Sequence, residues 1–158
     1  MIKVLFVCLG NICRSPMAEA YFRHLVTQQG YQNKFEIDSS GIGDWHAGKP
    51  PYQGTQKKLD EQGFSYEGMY ARKITFEDLD AFDYIVVMDN QNLADLKSLR
   101  HEAPKARVFK LLDFVTELNE EEVPDPYYTG NFDETYRLVE AGCHALFNLI
   151  KSEQDLSK

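Results

Sequence analysis

The chain has 158 residues, 43% of them apolar and 13% aromatic, which is typical of one globular domain with its own hydrophobic core. Seventeen Lys and Arg against twenty-five Asp and Glu give a formal net charge of -8, which disfavours nucleic acid but allows a small anion held by local N–H groups. The sequence shows no membrane-length apolar run and no signal peptide, and its three cysteines contain no C-x-x-C pair. These features predict a cytoplasmic protein without a disulfide scaffold and without a membrane segment.

The first predicted unit is a strand, a loop and a helix. Residues 2–7 are mostly apolar and rich in β-branched side chains, as in a strand covered on both faces, and this run ends at Cys8. Ser15 is a good N-cap and Pro16 suits the first helical position. The sequence therefore predicts a helix that begins there and stops at Gly30.

Further strands and helices alternate along the rest of the chain. The pattern predicts strands at 35–39, 84–88 and 108–112, a surface loop at 41–51, helices at 52–62, 75–79 and 91–100, an acidic loop at 120–122 and a last helix over 132–150. This alternation indicates an α/β fold, with residues 1–158 as a single three-layer domain. Its sheet is expected to be four-stranded, parallel and doubly wound, with helices on both faces.

Cys8, Arg14 and Ser15 have a spacing that suits the binding of a tetrahedral dianion. The guanidinium can hold two oxygens, and the helix that follows adds the dipole of its N-terminus. The same field would stabilise a thiolate on Cys8, and Ser15 can donate a proton to that sulfur. The alternative is that Cys8 is a small core residue, but its place between a strand end and a helix start favours an anion site. We call the segment between Cys8 and Arg14 the phosphate-binding loop. Its backbone N–H groups are also predicted to bind the anion, and they belong to Leu9, Gly10, Asn11, Ile12 and Cys13.

Cleavage of a phosphoester by a thiolate also needs an acid that protonates the departing oxygen. Asp125 lies between two prolines and is the candidate for this general acid. The alternative is that it only forms an ordinary Asp-Pro turn. Trp45, the only tryptophan, lies in a glycine-rich loop, and we predict that it lines an aromatic slot for the substrate. Tyr127 and Tyr128 are candidates for the wall of this slot, and the alternative is that they pack within their own loop. No pair among the four histidines has metal-ligand spacing with a carboxylate partner, so we predict no metal site.

The segment VCLGNICRSP, residues 7–16, resembles the signature of the low-molecular-weight protein tyrosine phosphatases. Residues 125–127 resemble the general-acid loop of that family, and residues 38–39 and 88–89 resemble its structural segments. Trp45 falls where the family has an aromatic residue at the pocket mouth. The likeness extends over the whole chain. One departure is visible, because the family often has a loop-bracing histidine where this chain has Met69.

The resemblance implies a phosphatase that hydrolyses phosphotyrosine through a phosphocysteine on Cys8, with Arg14 as phosphate clamp and Asp125 as general acid and then base. It implies no cofactor, a phosphotyrosine-containing protein as substrate and inorganic phosphate as product. We expect a monomer or a weak dimer. Eukaryotic members of the family have a second cysteine like Cys13, which implies redox sensitivity through a disulfide with Cys8.

Three alternatives stay open at this point. Arsenate reduction on the same fold requires two further redox cysteines, whereas only Cys143 follows the loop, and its helical spacing places it on a buried face. A phosphoarginine phosphatase would have a threonine in place of Ile12. A non-catalytic phosphate-binding module would need neither the thiolate of Cys8 nor the acid Asp125.

Overall fold

The computed structural model describes residues 1–100 and 102–156, so His101, one of the histidines considered above, lies outside the described residues. Four parallel strands form one sheet in the order β2-β1-β3-β4. Two 3₁₀ turns, Gln32–Lys34 and Leu111–Phe114, interrupt the alternation of strands and helices. The strands are β1 Ile2–Cys8, β2 Phe35–Gly41, β3 Tyr84–Val87 and β4 Arg107–Lys110, and the helices are α1 Arg14–Gln28, α2 Gln53–Gln62, α3 Asp78–Ala81, α4 Asn90–Lys97, α5 Pro126–Thr129 and α6 Phe132–Glu153.

Strand β1 lies in the centre of the sheet and has both faces covered. Successive side chains point to opposite faces, so Val4 and Phe6 pack into the core beneath α1 and α6, while Leu5 and Val7 pack into a second core with α3 and α4. All four side chains are fully buried. The structure thus confirms the predicted class, a parallel four-stranded α/β sheet with helices on both faces. The assignment of every residue from 1 to 158 to this domain stays a prediction.

The start of α1 differs from the prediction. Cys13 is the N-cap and supplies no side-chain cap, and Arg14 is the first helical residue. Ser15 is therefore not the cap, because its hydroxyl is engaged by other side chains of the loop. Pro16 is the third helical residue, where a missing N–H still costs nothing, since the first four N–H groups of a helix have no partner within it.

Other predicted boundaries are shifted as well, and β2 and α6 extend to Gly41 and Glu153. Helix α3 begins at Asp78, after a reciprocal pair of hydrogen bonds in which Thr75 and Asp78 each cap the backbone N–H of the other. Helix α4 ends at Lys97 rather than at residue 100. Strand β4 ends at Lys110 because the chain then turns so that Leu111 packs on α6, where a Cβ on Gly142 would lie 2.4 Å from Leu111 Cγ.

Candidate active site

The phosphate-binding loop joins the carboxyl end of β1 to the start of α1. Among the described residues, no hydrogen bond has a backbone N–H of residues 9–13 as its donor. These donors are therefore available to an anion at the helix N-terminus, as expected. The close approach of β2 requires a glycine, because a Cβ on Gly41 would lie 3.0 Å from both Leu9 O and the carbonyl carbon of Gly10.

Asn11 holds the curved loop from within. Its backbone has φ 59°, a left-handed conformation that Asn tolerates better than most residues. Its side-chain amide donates to Ser15 Oγ at 2.8 Å and to Ser39 Oγ at 3.0 Å, and its Oδ1 accepts from the backbone N–H of Arg72 at 2.9 Å. The predicted contribution of Asn11 to substrate binding is its backbone N–H, while its buried side chain ties the loop to β2 and to the segment at Arg72.

Ser15 connects this network to the sulfur of Cys8. The Ser15 Oγ lies 3.1 Å from Cys8 Sγ and is fully buried. Because Ser15 Oγ already accepts from Asn11, its own proton is free to point at the sulfur, and its other acceptor, Ser40 O, is more distant at 3.4 Å. The Ser15 hydroxyl therefore places a hydrogen-bond donor directly on Cys8 Sγ.

Arg14 is held in one orientation beneath the loop. It is only 1% exposed, and its Nη1 donates to Asp89 Oδ2 at 2.6 Å and to Val123 O at 2.9 Å. Its Nε is buried and finds no hydrogen-bond partner within the part of the chain that the structure describes. Burial by itself lowers the pKa of Arg14, but charges on Cys8, Asp125 and Asp89 outweigh it and raise the pKa. The guanidinium is thus a fixed cation with a donor left for an anion.

Asp125 reaches the same place from a segment that lies 111 residues after Arg14 in the chain. The backbone N–H of Val123 donates to Met88 O at 2.9 Å, which docks this segment at the end of β3. Asp125 is the N-cap of α5 and accepts from the Tyr127 N–H at 3.1 Å, while its second oxygen lies 3.4 Å from Arg14 Nη2. The carboxyl group is therefore oriented by the backbone, and it lines the cavity that also contains Cys8.

A cavity of about 320 Å³ lies above the loop. Its floor is the phosphate-binding loop, and its rim carries exposed aromatic rings, among them Trp45 at 65% exposure. Of the predicted site residues, Asn11, Arg14 and Ser15 do not line the cavity and lie behind the loop. The lining residues are Cys8, Leu9, Gly10, Ile12, Cys13, Trp45, His46, Asp125, Tyr127 and Tyr128.

Bracing of the loop does not depend on a side chain at Met69. Met69 is partly buried against the main core, and the backbone N–H of Arg72 holds Asn11 instead. The guanidinium of Arg72 in turn bonds to the carboxylates of Asp38 and Asp78, with its shortest contact of 2.8 Å to Asp78 Oδ2. This anchors the segment that supports the loop.

The two remaining cysteines differ in position. Cys13 belongs to the loop, and burial first, then the charges on Cys8 and Asp125, raise its pKa to about 12. Cys143 is fully buried in α6 with its sulfur 3.8 Å from Ala18 O, and burial raises its pKa. A cysteine in that position cannot serve as an accessible redox partner, which argues against the arsenate reductase alternative.

Sequence reasoning missed several residues that shape the site. Asp89 belongs to a segment noted only for its resemblance, although a carboxylate directly after a strand end is itself a signal. His46 follows Trp45 and lines the cavity. Val123 and Arg72 act through backbone groups, which leave no signal in side-chain chemistry.

No helix of the described residues is long and apolar enough to cross a membrane. Within residues 1–100 and 102–156, no three His, Cys, Asp or Glu side chains are grouped so that they would hold a metal ion.

Comparison with known proteins gives a consistent family. A family model described as low molecular weight phosphotyrosine protein phosphatase matches residues 3–156. The low molecular weight protein-tyrosine-phosphatase YfkJ of Bacillus subtilis is 50% identical over 156 residues, which cover 99% of this chain and 100% of that protein. The low molecular weight protein-tyrosine-phosphatase PtpA of Staphylococcus aureus is 43% identical over 158 residues, or 100% of this chain and 99% of that one.

Solved structures agree with the sequence relatives. The crystal structure of YfkJ from Bacillus subtilis has a TM-score of 0.94 at 50% identity and covers 97% of this chain and 96% of that chain. The crystal structure of a Drosophila arginine phosphatase has a TM-score of 0.88 at 33% identity, with 95% and 98% of the two chains covered.

Proposed function

The chain belongs to the low molecular weight phosphotyrosine protein phosphatase family and is a protein tyrosine phosphatase, and on this premise we propose which of its residues carry the reaction. The proposal rests on one observation, the convergence of Cys8 and Arg14, at the two ends of the phosphate-binding loop, with Asp125, which lies 111 residues after Arg14 in the chain. Arg14 Nη2 lies 3.4 Å from Asp125 Oδ2, and Cys8 and Asp125 line one cavity.

In the first step Cys8 Sγ attacks phosphorus. The S–P bond forms while the bond from phosphorus to the tyrosine oxygen breaks, and Asp125 gives its proton to that oxygen. Arg14 and the N–H groups of residues 9–13 stabilise the equatorial oxygens of the transition state. The fixed guanidinium and the unpaired donors of the loop support these roles.

In the second step water hydrolyses the phosphocysteine. Asp125, now ionised, takes a proton from the water whose oxygen attacks phosphorus, and the S–P bond breaks to release inorganic phosphate. Ser15 assists, because its hydroxyl lies 3.1 Å from the sulfur and stabilises it as the leaving thiolate.

The shape of the cavity supports phosphotyrosine as the substrate group. The loop lies at the base, and the rings of Trp45, Tyr127 and Tyr128 stand at the rim, so a long flat side chain reaches the base more easily than a short one. Ile12 adds an apolar wall, packed with Cys13 and with part of Phe132. The relative named as an arginine phosphatase keeps phosphoarginine as the second candidate.

We also propose a cytoplasmic location and a monomeric or weakly dimeric state. The location is supported by the three cysteines, which are all free thiols, as suits a reducing compartment. Sedimentation at several protein concentrations tests the oligomeric state.

The experiment compares p-nitrophenyl phosphate with matched peptides that carry phosphotyrosine, phosphoserine or phosphoarginine, in the presence of a metal chelator. We expect turnover of the aryl phosphate and the phosphotyrosine peptide, and none with Cys8→Ser, which should still bind inorganic phosphate. Faster cleavage of phosphoarginine would support the second candidate. Binding without turnover by the unsubstituted protein would support a phosphate-binding module.

A further inference from the structure

A run of aromatic rings extends from the cavity rim to the start of α6, and nothing in the mechanism above uses its far end. The ring of Tyr127 contacts that of Tyr52 edge to face, with centroids 5.3 Å apart. Tyr52 in turn stacks on Phe132, with centroids 6.0 Å apart and planes inclined by 10°. We call Phe132, Tyr52 and Tyr127 the aromatic ladder.

The ladder is attached to the phosphate-binding loop. The backbone N–H of Tyr52 donates to Ile12 O at 2.7 Å, and one helical turn later Thr55 Oγ1 donates to Cys13 O at 3.3 Å. Phe132 also packs against the cluster that contains Ile12. Tyr52 thus contacts the phosphate-binding loop through its backbone, and through its ring it contacts Tyr127, which lies two residues after Asp125.

A glycine makes room for the ladder. Gly54 lies inside α2, where glycine costs about 0.5–1 kcal/mol relative to alanine. A Cβ on Gly54 would lie 2.3 Å from the ring of Phe132, so the ring occupies the space that any other residue would fill. The packing of Phe132, and through it the stacked position of Tyr52, depends on this glycine.

Tyr127 needs such support. It lies on α5, which has only four residues, and its side chain is 47% exposed. Its other ring contacts are with His46, whose ring centroid is 6.0 Å away in the glycine-rich loop, and with its neighbour Tyr128, which is itself 74% exposed. From these contacts we infer that Tyr52 and Phe132 are positioning residues that hold Tyr127 in place and thereby set the preference of the site for aryl phosphates over alkyl phosphates. This inference rests on the proposed function of the same site.

The first experiment replaces Tyr52 with leucine. We expect the KM for a phosphotyrosine peptide to rise about 3- to 10-fold, the loss typical of one aromatic pair, with kcat within about twofold of the unsubstituted protein. The KM for an alkyl phosphate and the affinity for inorganic phosphate should stay constant, because the N–H of residue 52 that bonds to Ile12 O survives the substitution. Tyr52→Phe should restore the KM, since the ladder uses the ring and not the hydroxyl.

Two further variants separate positioning from folding. Phe114→Leu is the matched control, because Phe114 is 38% exposed against 40% for Tyr52 and makes an edge-to-face pair with Phe109 away from the cavity. It should leave every kinetic constant unchanged. Gly54→Ala favours the helix yet displaces Phe132, so it should raise the KM for the peptide without lowering the melting temperature more than Phe114→Leu does.

Binding measurements keep the inference independent of turnover. Phenylphosphonate is an aryl analogue that cannot be hydrolysed, and fluorescence of Trp45 at the rim reports its binding against that of inorganic phosphate. Absence of turnover in the unsubstituted protein would count against the proposed function alone. The inference would be wrong if Tyr52→Leu bound phenylphosphonate as tightly as the unsubstituted protein does. It would also be wrong if the variant lost as much affinity for inorganic phosphate as for phenylphosphonate.

Discussion

Replacement of Asp89 tests how the structure orients Arg14. The Arg14 guanidinium is almost wholly buried and donates to Asp89 Oδ2 at 2.6 Å, while the Asp89 side chain is 22% exposed. Asp89 is also the N-cap of α4 and accepts from the Asn92 N–H at 2.7 Å. Asp89→Ala removes both contacts and leaves a buried cation with a carbonyl, Val123 O, as its closest partner at 2.9 Å.

The expected loss follows from these two contacts. Removal of one partner of a buried ion pair costs about 3–5 kcal/mol, and the partial exposure of Asp89 places the value at the lower end. Loss of the cap adds about 1 kcal/mol, so Asp89→Ala should lower the free energy of unfolding by about 4 kcal/mol. Asp89→Asn keeps a good cap and an acceptor oxygen, and should cost about 1–1.5 kcal/mol, the difference between a charged and a neutral hydrogen bond.

Urea unfolding measures the stability, and kcat/KM for p-nitrophenyl phosphate measures the orientation of Arg14. We expect kcat/KM of Asp89→Ala to fall about 100-fold, because displacement of a clamp by about 1 Å has that effect. Asp80→Ala is the control, since it breaks an exposed pair with Arg100 far from the cavity and should leave kcat/KM unchanged. Equal losses of unfolding free energy for the two alanine variants, or an unchanged kcat/KM in Asp89→Ala, would show that Asp89 does not orient Arg14.

Three other predictions concern single side chains. Asp125→Asn should slow cleavage of aryl phosphates by roughly 10²–10⁴-fold, and less for better leaving groups, so equal losses across a leaving-group series would exclude proton donation. Peroxide should inactivate the enzyme, and dithiothreitol should restore most of the starting activity, whereas Cys13→Ser should recover little; full recovery of that variant would show that no disulfide with Cys8 is needed. Burial alone would raise the pKa of Asp78, but hydrogen bonds from Arg72 and from a backbone N–H lower it overall. The contribution of ionised Asp78 to the free energy of unfolding is complete above the pKa of the unfolded state, about 3.9, and is lost as the pH falls through the lower pKa of the folded state. Asp78→Asn should therefore make the free energy of unfolding less dependent on pH in the acid range.

The chemistry of the site can be read from a short stretch of sequence. Cys8, Arg14 and Ser15 lie within eight residues, at a strand end and a helix start, so local geometry alone brings them together. Hydrophobic periodicity determined the α/β class in the same way, because each strand and helix shows its buried face in its own residues. Element ends were less well determined, as at Ser15, whose hydroxyl bonds to Cys8 and Asn11 rather than to the helix backbone.

The contacts that hold these groups in place come from distant parts of the chain. The partners of Arg14 are Asp89 and Val123, which lie 75 and 109 residues further along the chain, and each contact depends on how β3 and the following segments dock beside β1. Asn11 illustrates the same limit, because the sequence assigned a role only to its backbone N–H, whereas the packing of β2 brings its side-chain amide to Ser39. Residue type and local spacing determine which groups can react. The orientation of those groups depends on contacts between distant segments, and such contacts form only when the sheet is assembled.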